Sequence, residues 1–226
     1  MTRPGITFQQ LVDVVNHPNS VPDLQKYFAT GPHEQRHRFT GGWFERLGAE
    51  NPYADRNRIS TDDLVAVQLL GVHIPSPVAL DLLHGATGEN LQEQLSRIPS
   101  ECHLGDQDAA EHVADCSAAD SAWRLLTGLE DVNWVIAGKL LARKRPRLIP
   151  IYDSVVRCAY RRPTHFWQWL HRHLLAHEHT LLDRLIQLAA EAQLRSEVTP
   201  LRVLDVIVWM RHRDGHTPSR CLGIGH

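Results

Sequence analysis

Residues 129 to 156 read LEDVNWVIAGKLLARKRPRLIPIYDSVV. Val135, Ile136, Leu140 and Leu141 recur at helical spacing and give one apolar stripe. Pro146 and Pro150 cannot continue that helix, so the spacing predicts a helix, a proline-bearing connection, and a second helix with Asp153 at its N-cap. The connection is strongly basic: Arg143, Lys144, Arg145 and Arg147 come just before the carboxylate at Asp153. A solvated loop leading to a helix cap accounts for the pattern. So does an anionic substrate delivered to an acid or base.

Outward from this stretch the periodicity stays helical. STDDLVAVQLL (60–70) has Ser60 or Thr61 as N-cap and acids at Asp62 and Asp63 in the first turn. SPVALDLLHG (76–85) has Pro77 early, and Gly85 is expected to end the helix in a left-handed conformation. SAADSAWRLLTG (117–128) puts Ala122, Leu125 and Leu126 on one stripe and stops at Gly128. PTHFWQWLHRHLLAHEHTLLDRLIQLAAEAQ (163–193) reads as one or two helices, and VTPLRVLDVIVWMRHR (198–213) opens on Thr199 as N-cap with Pro200 first inside. Loops are expected near residues 19, 54 and 103 and from Gly215 onward. No set of alternating strands emerges, so the expected class is all-α.

The segment 129–156 resembles the catalytic unit of the helix-hairpin-helix DNA glycosylases, the endonuclease III superfamily, where a hairpin of the form LPGVGRKTA leads through a proline-containing connection to VDTHV. Laid on that pattern without gaps, Leu129 matches the opening leucine, Ala137 the alanine of the hairpin, and YDSVV the aspartate motif, with Asp153 on its aspartate. The segment, together with FTGGWFERL and STDDLVAV before it, also looks like a family of uncharacterised bacterial proteins. The resemblance implies a two-lobed helical bundle with a cleft between the lobes. Residues 1–226 would form one helical unit: a central lobe over about 60–150, with the N-terminal residues and about 151–226 packing as the other lobe.

It also implies a monofunctional DNA N-glycosylase of base excision repair, with no cofactor and DNA as partner. Asp153 would stabilise the oxocarbenium-like state and orient water. Arg143, Lys144, Arg145, Arg147 and Arg157 would hold phosphates. Trp134 and Tyr152 are nearby candidates for a base pocket, and Trp43 and Tyr53 remote ones. The departures matter too. Asp131 and Asn133 replace the hairpin glycines, and Val135 stands where bifunctional members carry a nucleophilic lysine. Lys139, one turn on, is a weaker candidate nucleophile or electrostatic partner. A non-catalytic nucleic-acid or protein binding module, or a glycosidase of a free nucleoside, is the rival reading.

The totals exclude little else. Across 226 residues the formal charge is -2, so any nucleic-acid footprint must be local. No apolar run approaches the roughly 20 residues that span a bilayer, and the N-terminus lacks a signal-like apolar core, so a cytoplasmic protein off the membrane is expected. Four cysteines, Cys102, Cys116, Cys158 and Cys221, form no CxxC pair and read as reduced thiols. Fifteen histidines raise the question of metal. His173 and His177 are four apart, as are His112 and Cys116, but neither pair has an evident set of partners, so no metal is assigned.

Overall fold

The computed structural model describes residues 4–30, 39–51, 55–214, 216 and 223–224, and among them the chain is all-helical, with no strand. In order, the α-helices are α1 Phe8–Val15, α2 Ser20–Phe28, α3 Thr61–Gln68, α4 Ser76–His84, α5 Ala86–Ser96, α6 Ala109–His112, α7 Ala118–Thr127, α8 Trp134–Lys144, α9 Ser154–Ala159, α10 Phe166–Leu175, α11 Thr180–Glu191 and α12 Pro200–His212. A short 3-10 helix, Thr40–Trp43, lies between α2 and α3. Among the described residues no helix is long and apolar enough to cross a membrane.

The helix starts follow from capping chemistry. Ser60 accepts from the Asp63 amide while the Asp63 carboxylate reaches back to the Ser60 amide, and Thr7 and Gln10 do the same for α1. Ser117, Asn133, Asp153 and Thr199 each cap a helix through a side-chain oxygen. Gly85 acts differently from the expectation: its backbone is extended (φ -110°), not left-handed, and it joins α4 directly to α5. A Cβ there would come within 2.0 Å of the Asp81 carboxylate, so the site requires glycine for space. The stretch 163–193 divides into two helices because His177, Glu178 and His179 all take positive φ after α10 ends.

Helix α12 is buried on nearly every side, from Leu201 to Val208, and packs against α1, α2, α9 and α11. Helix α8 packs on α3 and α7, and α5 on α4 and α7.

The basic run ties these groups together from inside. Arg145 is 1% exposed and donates to the carbonyls of Leu95, Ile98 and Arg56 and to the Asn57 side chain. Arg143 pairs with Asp63 at 2.8 Å and donates to the Phe44 and Leu47 carbonyls. Lys144 reaches the other Asp63 oxygen at 2.8 Å and the Asp55 carbonyl. Burial pushes Asp63 up, but the Lys144 and Arg143 cations outweigh it and hold its carboxyl below the ordinary range. The Pro146 carbonyl accepts from the Thr199 hydroxyl at 3.0 Å, which fastens the connection to the start of α12.

Candidate functional site

Residues 150 to 153 connect α8 to α9 outside any helix, and their side chains alternate between two sides. Pro150 and Tyr152 line one cavity; Ile151 and Asp153 line another. Helix α8 divides in the same way, with Trp134 and Gly138 on the first side and Lys139 on the second. This segment is a wall between two spaces.

The Asp153 cavity has a volume of about 260 Å³ and lies where α8, the start of α9, α12, α2 and the end of α3 converge. Asp153 Oδ1 accepts from the Val155 and Val156 amides, both at 2.9 Å, as the N-cap of α9. Among the described residues nothing hydrogen-bonds its Oδ2. Lys139 is buried, and its Nζ donates to the Leu70 carbonyl at 2.9 Å. Burial pulls the Lys139 pKa down against the opposing pull of Asp153 and Asp205.

Arg202 and Asp205, one turn apart on α12, complete the charged lining. Arg202 pairs with Asp205 and with Glu45, and donates to the Tyr27 hydroxyl and the Gly41 carbonyl, both at 2.9 Å. Burial, helped by the Asp153 charge, pushes Asp205 up to about 7 against Arg202 and Lys139. Glu45 is raised as well, by burial first. Tyr27 and Phe39 stack at 5.2 Å, and Trp209 meets both edge-on, so one wall of the cavity is aromatic.

The neighbouring cavity is larger, about 710 Å³, and holds Trp134 and Tyr152. Tyr152 stacks on Phe166 at 3.8 Å, and Arg157 lies over the Trp134 ring at 5.0 Å. Burial raises the Tyr152 pKa despite Arg157 nearby.

These placements revise several expectations. Trp134 and Tyr152 do not share the Asp153 cavity. Trp43 lines a separate depression of about 240 Å³, with Arg46 at 3.9 Å from its ring. Tyr53 lies outside the described residues. Arg143, Lys144 and Arg145 are spent on internal carboxylates and carbonyls and present no cation to a phosphate. Arg147 is partly exposed but paired with Glu101. Arg157 alone of the five is exposed on a cavity rim. Lys139, by contrast, does meet Asp153 in one cavity.

The residues that reading the sequence missed are Arg202, Asp205, Tyr27, Phe39 and Trp209. One signal was present: Arg202 and Asp205 sit at helical spacing inside an otherwise apolar run, and buried charges come in pairs.

The histidine pairs do not form helical faces. His177 falls beyond the end of α10 with positive φ, and His173 and His177 both pack on Phe8. Helix α6 ends at His112, and Cys116 is exposed with positive φ. Cys102 and Cys116 are free thiols, whereas Cys158 is disulfide-bonded, so the cysteines are not uniformly reduced. No curated protein and no solved structure matches the chain. A family model does match residues 20–212, and the chain belongs to that family, a family of unknown function designated DUF6308.

Proposed function

We propose that this protein hydrolyses an N-glycosidic bond in the Asp153 cavity, on a substrate that brings one nucleoside unit to it. The observation that carries the reading is the placement of Asp153. One of its oxygens is consumed as a helix cap, and the residue lines a small cavity that also holds Lys139, Asp205 and an aromatic wall.

Three further features support the glycosylase resemblance. Asp131, on the position of the first hairpin glycine, has φ 62°, the left-handed conformation glycine serves best. Asn133 caps α8 from the second glycine position. The packing of α3, α4, α5, α7 and α8 with one another, and of α1, α2, α9, α11 and α12 with one another, fits two lobes with the cavity at their junction.

In this mechanism Asp153 stabilises positive charge building on the sugar and orients the attacking water. Asp205, raised to about 7 by burial against its pairing with Arg202, can pass a proton to the departing base in the fraction of molecules that carry one. Lys139 balances the two carboxylates. Val135 lines neither cavity and offers no amine, and the amine that does line the Asp153 cavity, Lys139, is held on the Leu70 carbonyl, which favours a hydrolytic path. A free nucleoside is favoured over duplex DNA, because three of the five expected phosphate contacts are buried internal pairs.

The test is base release, read by chromatography, from natural and alkylated nucleosides and from a duplex oligonucleotide carrying the same bases. Asp153→Asn keeps the helix cap, and it is expected to lower release by about 10²–10⁴-fold, the usual contribution of a positioned acid or base. Undiminished release by the folded variant removes Asp153 from the chemistry. Release from the duplex alone makes the polymer the substrate. If a nucleoside or the duplex is bound but nothing is released, the rival reading of a binding module takes over; the larger Trp134–Tyr152 cavity, with Arg157 on its rim, favours that rival.

A further inference from the structure

Across the α8–α9 connection from Asp153, the cavity of about 710 Å³ has the size of a small-molecule site, roughly 300–1,000 Å³. It is kept open by a glycine that nothing else explains. Gly138 lies inside α8 and lines this cavity, its φ is not positive, and a Cβ added there would meet nothing within 4 Å. Every other described glycine either has positive φ or would bring a Cβ within 3.3 Å of a neighbouring atom. Glycine is the poorest helix former after proline, so an interior glycine without a packing reason weakens α8 and leaves room beside it.

The walls and the rim restrict what that room suits. Tyr152 is taken up between Trp134 and Phe166, with ring centroids at 5.6 and 3.8 Å. Trp123 on α7 and Trp167 on α10 are half-buried in the lining and carry no ring contact among the described residues. Indole faces without a ring partner suit a planar apolar group. The two acids of the lining have cationic or cation-forming neighbours: Asp120 pairs with Arg124 at 2.9 Å and accepts from the Cys116 amide, and Asp115 has His165 at 3.5 Å. Arg157, exposed on the rim, makes no ion pair among the described residues and stands over the Trp134 ring. Arg162 brings a second guanidinium to the same lining.

We propose that this cavity binds a small planar aromatic anion, with its ring system against Trp123 and Trp167 and its carboxylate or phosphate at Arg157. A guanidinium already held over an indole meets an anion with less ordering still to be done. The two cavities lie on opposite sides of one wall, so this site stands whether or not Asp153 is catalytic.

The experiment titrates the full chain with 2-naphthoate, 2-naphthyl phosphate and the uncharged 2-naphthamide by isothermal calorimetry. Wild type should bind at least one of the anions about tenfold or more tighter than the amide, the usual gain from a charge-assisted hydrogen bond. The preferred anion tells a carboxylate ligand from a phosphate. Gly138→Leu fills the room and should abolish binding of all three, while the melting temperature holds or rises. Arg157→Gln should bring the anions down to the affinity of the amide and leave the amide where it was. Arg46→Gln, which removes the guanidinium over Trp43 outside this cavity, should change none of them. If Gly138→Leu fails to fold, Arg157→Gln on its exposed position decides alone. Wild type that binds neither anion, or binds the amide as tightly, overturns the proposal. So does anion binding that survives in folded Gly138→Leu, is undiminished in Arg157→Gln, or is lost in Arg46→Gln.

Discussion

Asp153 holds α9 and faces the cavity with the same carboxyl group, and substitutions separate the two tasks. Asp153→Ala removes the acceptor for two amides; chemical denaturation should show a loss of about 1 kcal/mol, the usual worth of an N-cap. Asp153→Asn should keep most of that stability and lose the proposed base release.

Asp205 makes a pH prediction. Its folded pKa, about 7, stands above the usual 3.8, so between those values the folded state binds more protons than the unfolded one. Its contribution to stability is therefore greatest below about pH 4 and is lost as pH rises through 7. The neighbours that set this are Arg202, Lys139 and Asp153. Melting temperatures of wild type and Asp205→Asn, compared from pH 4 to 8, should differ least favourably for the wild type at the alkaline end. A constant difference across that range would remove the titration from Asp205.

At the scale of elements, the connection from α8 to α9 is an internal brace built from charged side chains. Arg145 satisfies carbonyls at the end of α5 and in the loop before α3, so Arg145→Met leaves several buried acceptors without donors. Each such acceptor costs roughly 1–3 kcal/mol, and the urea midpoint should fall by an amount equivalent to about 3 kcal/mol or more. Arg147→Ala, two residues on, breaks only a surface pair with Glu101 and should leave the midpoint where it is.

Local chemistry made much of the helical layout readable: Ser60, Thr199 and Asp153 cap where the pattern of oxygen followed by apolar periodicity says they should. It misled at Gly85, where the deciding contact is with Asp81, and at His173 and His177, where three consecutive left-handed residues turn the chain off the helix.

For the whole molecule, the internal use of Arg143, Lys144 and Arg145 predicts weak binding of duplex DNA at physiological salt, with a shallow dependence of affinity on salt concentration. Arg143→Gln should lower the melting temperature without changing that slope. A steep slope that the variant flattens would return Arg143 to the phosphate-binding role.

The all-helical class, most of the caps and the presentation of Asp153 ahead of a helix were determined by the sequence itself, because apolar spacing, proline and side-chain capping act within a few residues. The direction each charge faces was decided only by tertiary structure. Whether a basic run meets solvent or carbonyls depends on which helices close over it. Arg202, Asp205, Tyr27, Phe39 and Trp209 come to Lys139 and Asp153 only because α12 is buried beneath α2 and α9, across separations in the chain that no local pattern spans.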